Sequence, residues 1–234
     1  DTLSLHDALP ISRIADEKVQ SGSAALTTSD DVVCSMAAAK PAIWLPLDAI
    51  DAVGNARDAI DGLDGRIVTK NGVSFENGPV GTHLVFDGAT HVELDHAKRV
   101  DLQEGAFSFG AWVNPATSST GTLFANGQYG TPGSWRLIAI HDSDLGLELC
   151  DLERCSIEIL SGVAPVGTWS YVMVAAQVVS GDDGAFAEYT LFSKFGGEQS
   201  LTLNGAPTVD EHFAFKKPGP TTIGSALEAA ATTS

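Results

Sequence analysis

The sequence predicts an all-β sandwich, and three observations carry the prediction. The 234-residue chain contains 24 glycines and 10 prolines, the residues that punctuate turns. Short apolar stretches rich in Val, Ile, Phe and Trp recur between those turn signals at roughly ten-residue intervals, the rhythm of strands in two packed sheets. No segment keeps a helical apolar period for long, and no internal repeat is visible. With 44% hydrophobic and 18% charged residues, the chain can bury a core and does not have the composition of a disordered segment.

The elements follow in order. Thr2–Ile11, "TLSLHDALPI", reads codon by codon as a translated sequencing adapter, so residues 1–11 are expected to be an artefact and no chemistry is assigned to His6 or Asp7. Residues 12–40, polar and Ala/Ser-rich, read as a linker or the remnant of an upstream domain. The domain itself is expected over residues 41–226, with 227–234 as a truncated tail. "AIWLPLDAI" (42–50) carries a strand signal in which Pro46 marks an edge or a bulge. A Gly/Asp-rich loop, "DAVGNARDAIDGLDG", comes next, then a short strand at "RIV". "THLVFDG" and "THVELD" read as a hairpin about Asp87–Gly88. Alternation puts Leu84, Phe86, Val92 and Leu94 on its apolar side and His91, Glu93 and Asp95 on the wet side. "AFSFGAWV" (106–113) is the strongest strand, with Phe107, Phe109, Ala111 and Val113 facing one way and Ser108, Gly110 and Trp112 the other. Further strands are expected at "GTLFANG", "SWRLIAI", "LGLELC", "CSIEIL", "TWSYVMVAAQVV", "FAEYTLFSKF", "LTLNG" and "GPTTIGSA".

Thirty acidic residues against thirteen basic ones give a formal charge of −17. Such a field repels nucleic acid and anionic lipid, attracts cations and favours solubility. No run of about eighteen apolar residues exists, so no helical membrane span is expected. Cys150 and Cys155 are separated by four residues in "CDLERC", a spacing that suits either a staple across a short hairpin in an oxidising compartment or two reduced thiols. Cys34 is left over.

The order of these motifs resembles the laminin-G-like, concanavalin-A-like jelly-roll family over about Trp44 to Ser225. "WLPLD" resembles its opening strand, "DAVGN" its Asp-x-x-Gly-Asn loop, and "LVFDGATHVEL" its Phe-Asp-Gly hairpin. "FSFGAWVNP", "VGTWSYVMVAAQ" and "TTIGSA" match the Ala-Trp-Val, Gly-x-Trp and Ile-Gly strands that follow. The chain departs from the pattern in a longer loop after Asn55 and in ending before the closing Ile-Asp-Glu-like strand, so the expected fold is a two-sheet antiparallel jelly roll lacking its last strand. The resemblance implies a secreted or cell-surface module of a larger protein with covalently linked neighbouring domains. It also implies a structural Ca²⁺ joining the Asp51–Asn55 loop to Asp87.

Catalytic patterns are absent. A jelly-roll glycosidase needs two opposed carboxylates, yet "ELDHAK" continues from Glu93 and Asp95 into Ala97 and Lys98. No nucleophile elbow, zinc helix or phosphate loop occurs, and His91 and His96 lack a third zinc ligand at usable spacing. The expectation is therefore a non-enzyme that recognises a glycan or an extracellular protein, with a purely structural spacer as the first rival and a degenerate or truncated glycan-active enzyme of the same fold as the second. Trp112, Tyr129, Trp135 and Arg136 are the candidate ligand contacts, because sugar sites join an aromatic platform to planar polar groups. Trp112 and Trp135 equally suit a sandwich core.

Overall fold

The computed structural model describes residues 3–14, 43–60, 63–78, 81–94, 106–116, 120–140, 143–150, 154–181, 184–195, 202–203, 208–210 and 220–225. Among these residues there is no α-helix. The strands are β1 (Leu3–Ile14), β2 (Asn55–Ala56), β3 (Gly65–Val68), β4 (Phe75–Gly78), β5 (Gly81–Phe86), β6 (His91–Leu94), β7 (Ala106–Pro115), β8 (Gly121–Asn126), β9 (Trp135–Ile140), β10 (Asp144–Cys150), β11 (Cys155–Leu160), β12 (Ser170–Gly181), β13 (Gly184–Phe195), β14 (Thr202–Leu203), β15 (Thr208–Asp210) and β16 (Thr221–Ile223). They form two antiparallel sheets. The first runs β14-β13-β12-β7-β1-β5-β4, with β15 also on β13, and the second runs β11-β10-β9-β8-β16-β6-β3-β2.

Period-two alternation explains why these sheets face each other. Phe86 of β5, Phe109 and Val113 of β7, and Val172 and Val174 of β12 point inward from the first sheet. They meet Val92, Leu94, Phe124, Leu137, Leu145, Leu147 and Ile223 from the second. Phe109 and Phe124 stack across the gap at 4.2 Å between ring centroids. Each side chain of this size contributes roughly 1.5–3 kcal/mol when fully buried, so this shared layer holds the β-sandwich together.

Two expectations require correction. First, β5 and β6 do not pair: β5 lies between β4 and β1 in one sheet, and β6 between β3 and β16 in the other. The Asp87–Gly88 turn, with Gly88 at φ 79°, carries the chain from sheet to sheet. Alternation reports which face a residue takes and not which strand lies beside it, so Leu84, Phe86, Val92 and Leu94 are buried as expected without a hairpin. Second, residues 43–50 make only isolated bridges. Pro46 has no N–H to donate, and Leu47 sits at φ 55°. The segment is pinned by the buried Asp58, whose Oδ1 accepts the Trp44 N–H at 2.8 Å, while Ile43, Leu45 and Leu47 still enter the core.

The segment read as adapter-derived lies inside the first sheet, where β1 pairs with β5 on one side and β7 on the other. A ladder needs only extended backbone with its N–H and C=O groups, so the origin of the codons does not bar it. The register slips between Leu9 and Ser12, across Pro10, which lacks a donor. Strands β4 and β15 had no signal that the sequence reading used. The segment 15–42 with Cys34, the side chains of Asp95, His96 and His141, and residues 226–234 lie outside the described residues.

Candidate functional site

Direct cross-strand partners share a face of a sheet, so the registers of the second sheet can be read across it. They align Arg66, Glu93, Thr222, Ala125, Arg136, Glu148 and Ile157 over seven neighbouring strands. Their chain neighbours Val92, Ile223, Phe124, Leu137 and Leu147 belong to the core, so this row lies on the outer face. It carries two ion pairs, Arg66–Glu93 and Arg136–Glu148. His91 joins the first, with Nε2 3.2 Å from Glu93 Oε1; His91 and Glu93 share the face that alternation assigned to them. Burial raises the Glu93 pKa, but the bonds from Arg66 and His91 outweigh it and hold the carboxyl below its usual value.

The second pair lies against the loop 127–134, "GQYGTPGS", which joins β8 to β9. Gly127, Gly130 and Gly133 all have positive φ, and that conformational freedom permits the tight path. The loop is pinned at both ends. Gly127 N–H donates to Pro220 O at 3.0 Å, and Gly133 N–H to Cys150 O at 2.7 Å. Within it, Thr131 N–H and Oγ1 both donate to Gln128 O. This path sets the Tyr129 ring against the Arg136 guanidinium, 3.8 Å from carbon to ring centroid. The Tyr129 hydroxyl donates to Glu148 Oε1 at 3.3 Å. Cation, ring and carboxylate therefore fix one another's orientation.

Beside this group is a shallow surface dimple, lined by Ala125, Gly127, Tyr129, Ser134, Trp135 and Arg136. Ser134 is 3% exposed, and among the described residues its hydroxyl has no hydrogen-bond partner. A buried hydroxyl without a partner forgoes the hydrogen bond that water would give it. Trp135 is equally buried and packs on Phe124 and Phe109; it shapes the wall from the core side.

The expected contacts thus divide. Tyr129, Trp135 and Arg136 come together. Trp112 does not join them: it is half-buried on the outer face of the other sheet, its ring 5.6 Å from that of Tyr171. Burial pushes the Tyr171 hydroxyl pKa up. Glu148 and Ser134 are additions. The alternation of "LGLELC" already turns Glu148 away from Leu145, Leu147 and Leu149, but only the register reveals that it faces Arg136.

Cys150 and Cys155 stand directly opposite each other at the end of the β10–β11 pair and form a disulfide. Asp51 and Asn55 share one loop. Asp51 Oδ1 accepts the Val53 and Asn55 amides at 2.9 and 2.8 Å, and the Asn55 amide is the main cause of a lowered Asp51 pKa. Asp87 belongs to another turn. Its Oδ2 accepts from Asn71 Nδ2 at 2.7 Å and its Oδ1 from the Ala89 N–H at 3.0 Å, so its pKa falls to about 2. Calcium takes about six to eight oxygens; here the Asp51 carboxylate is engaged by its own loop, and that of Asp87 by the Ala89 amide of its turn and by Asn71 from the β3–β4 loop. Among the described residues no group of three or more His, Cys, Asp or Glu gathers as a metal site. No role is derived from a Ca²⁺ shared by Asp51, Asn55 and Asp87.

No helix among the described residues is long and apolar enough to cross a membrane. Compared with models of known families, with curated proteins and with solved structures, the chain matches none.

Proposed function

We propose that this chain is a non-catalytic recognition module of the laminin-G-like jelly-roll type that binds neutral glycans at the depression beside Tyr129, Arg136 and Glu148. The observation that carries the reading is the pre-oriented Tyr129–Arg136–Glu148 group next to the unpartnered Ser134 hydroxyl. It sets a planar guanidinium and a phenol beside a carboxylate, polar groups of the kind that pair with a sugar ring's hydroxyls. Arg136 and Glu148 neutralise each other, and the chain's net charge of −17 repels polyanions; an uncharged sugar suits both facts. Glycoside hydrolysis requires a second opposed carboxylate, and the described lining supplies none. The disulfide supports an oxidising, extracellular setting.

The test is a panel of immobilised neutral and acidic glycans probed with purified protein. Binding is expected to a neutral class, and Arg136→Ala or Tyr129→Ala is expected to weaken it about tenfold or more, the loss of one charge-assisted contact. Trp112→Ala should leave it unchanged. A blank panel, or full binding by both site variants, overturns the proposal.

A second reading, a protein partner, rests on β11. This terminal strand of the second sheet carries Ile157 and Ile159 at 43% and 53% exposure, and an apolar sheet edge can accept an added strand from another chain. Substituting both isoleucines with lysine would then abolish capture of that partner without touching glycan binding.

A further inference from the structure

We propose that the Cys150–Cys155 disulfide is a redox-sensitive latch on the loop that carries Tyr129 and Ser134. The inference relies on the glycan reading only for what the loop serves; the latch itself stands on backbone geometry.

Cys150 ends β10 and serves two neighbours. Its C=O accepts the Gly133 N–H at 2.7 Å, and its N–H donates to Ser134 O at 2.9 Å. In an antiparallel sheet a residue whose N–H and C=O both turn to one neighbour has no backbone bond left for the other. Toward β11, Cys150 is therefore joined by its sulfur to Cys155, its direct register partner. The ladder to β10 resumes at Leu149–Ser156, but Ser156, Ile157, Glu158 and Ile159 are all exposed, so their side chains add little burial at that end of β11. The disulfide thus clamps the residue on which Gly133 and Ser134 hang. Seven residues upstream of Ser134, Gly127 is tied separately to Pro220, so opening the latch frees one end of the loop and leaves the other anchored.

Access is uneven. Cys150 is buried at 1% exposure, whereas Cys155 is partly exposed, so an incoming thiolate meets Cys155 Sγ. A small dithiol supplies the two electrons. Its first thiolate attacks Cys155 Sγ and forms a mixed disulfide, and the S–S bond breaks to release Cys150 as a thiolate, which takes up a proton. The second thiol of the reagent displaces Cys155, leaving two protein thiols and the oxidised cyclic reagent. A disulfide oxidant reverses the sequence. Partly exposed disulfides are the labile class, and a loop held by few buried contacts is the kind of segment that opens locally.

Amide hydrogen exchange on the intact chain tests this, before and after dithiothreitol, with mass-based counting of alkylated thiols to verify the redox state. Reduction is expected to speed exchange at Gly133, Ser134 and Cys150 by at least about tenfold, while Val172 and Val174 in β12 change less than twofold. The double variant Cys150→Ser/Cys155→Ser should reproduce the reduced pattern. Unchanged exchange at Gly133, Ser134 and Cys150 in fully reduced protein overturns the latch. Equal acceleration at Val172 and Val174, or an unfolded double variant, also overturns it, because the bond would then staple the whole sandwich. Affinity for a neutral glycan found on the panel should fall in parallel with reduction. Absence of glycan binding in both redox states removes the glycan reading and leaves the exchange result to decide the latch.

Discussion

Asp87 shows how a single side chain in this chain is committed. Its carboxylate takes the Asn71 side-chain amide and the Ala89 backbone N–H, which lower its pKa from 3.8 to about 2, Asn71 contributing most. A depressed carboxyl pKa stabilises the folded state above the unfolded value near pH 4 and loses that contribution as pH falls through about 2. Asn71→Ala should return the Asp87 titration, followed by NMR, toward 3.8, and it should flatten the fall of stability between pH 4 and pH 2. If Asp87 still titrates near 2 in that variant, the Ala89 and Thr90 bonds set its value instead. Asp58 is a comparable case that the sequence concealed. It is 3% exposed, and its carboxylate accepts amides from Trp44, Ile60 and Leu63. Nothing in "NARDAID" distinguishes it from the aspartates of a solvated loop, because its partners lie up to 14 residues away.

Among the elements, the turn after β16 explains why two separately recognised motifs occur together. Gly224 has φ 84°, and a Cβ placed there would lie 2.0 Å from the Phe86 ring. Phe86 itself is 1% exposed and cannot swing aside into solvent. The Phe-Asp-Gly motif thus brings its aromatic ring from one sheet onto the glycine of the Ile-Gly motif in the other. Gly224→Ala combines overpacking with an unfavourable left-handed backbone, so a cost of about 2–4 kcal/mol is expected, read as a lower denaturant midpoint. Phe86→Leu in the same chain should recover part of that loss, and strictly additive effects would show that the two residues do not interact. The β10–β11 pair differs in that its terminal strand is mostly exposed. Its disulfide closes a loop of only a few residues, for which chain-entropy arguments give about 2 kcal/mol.

For the whole molecule the decisive feature is β1. It lies between β5 and β7, so the first sheet is continuous only while residues 3–14 remain in place. Removing residues 1–14 would leave β5 and β7 separated by two strand spacings, roughly 9–10 Å, too far for a hydrogen bond. The expected result is a thermal midpoint lower by about 10 °C or more, or loss of a cooperative transition. A deletion variant with an unchanged midpoint would show that the core layer alone holds the sandwich.

The sequence by itself determined the class of fold, most strand positions and the inward set. Turn residues and period-two alternation are local, and each strand carries them independently of its neighbours. Leu84, Phe86, Phe109, Val113, Val92 and Leu94 were legible for that reason, as was the grouping of Tyr129 with Arg136, which one short loop enforces. Only the tertiary structure decided which strands pair. It parted β5 from β6, placed β1 in the first sheet, set Trp112 on the opposite sheet from Tyr129, and put Glu148 and Ser134 beside Arg136. Those outcomes depend on backbone hydrogen bonds between distant segments. The backbone is chemically the same at every position except proline and glycine, so the choice of partner leaves little trace in the side chains that a sequence displays.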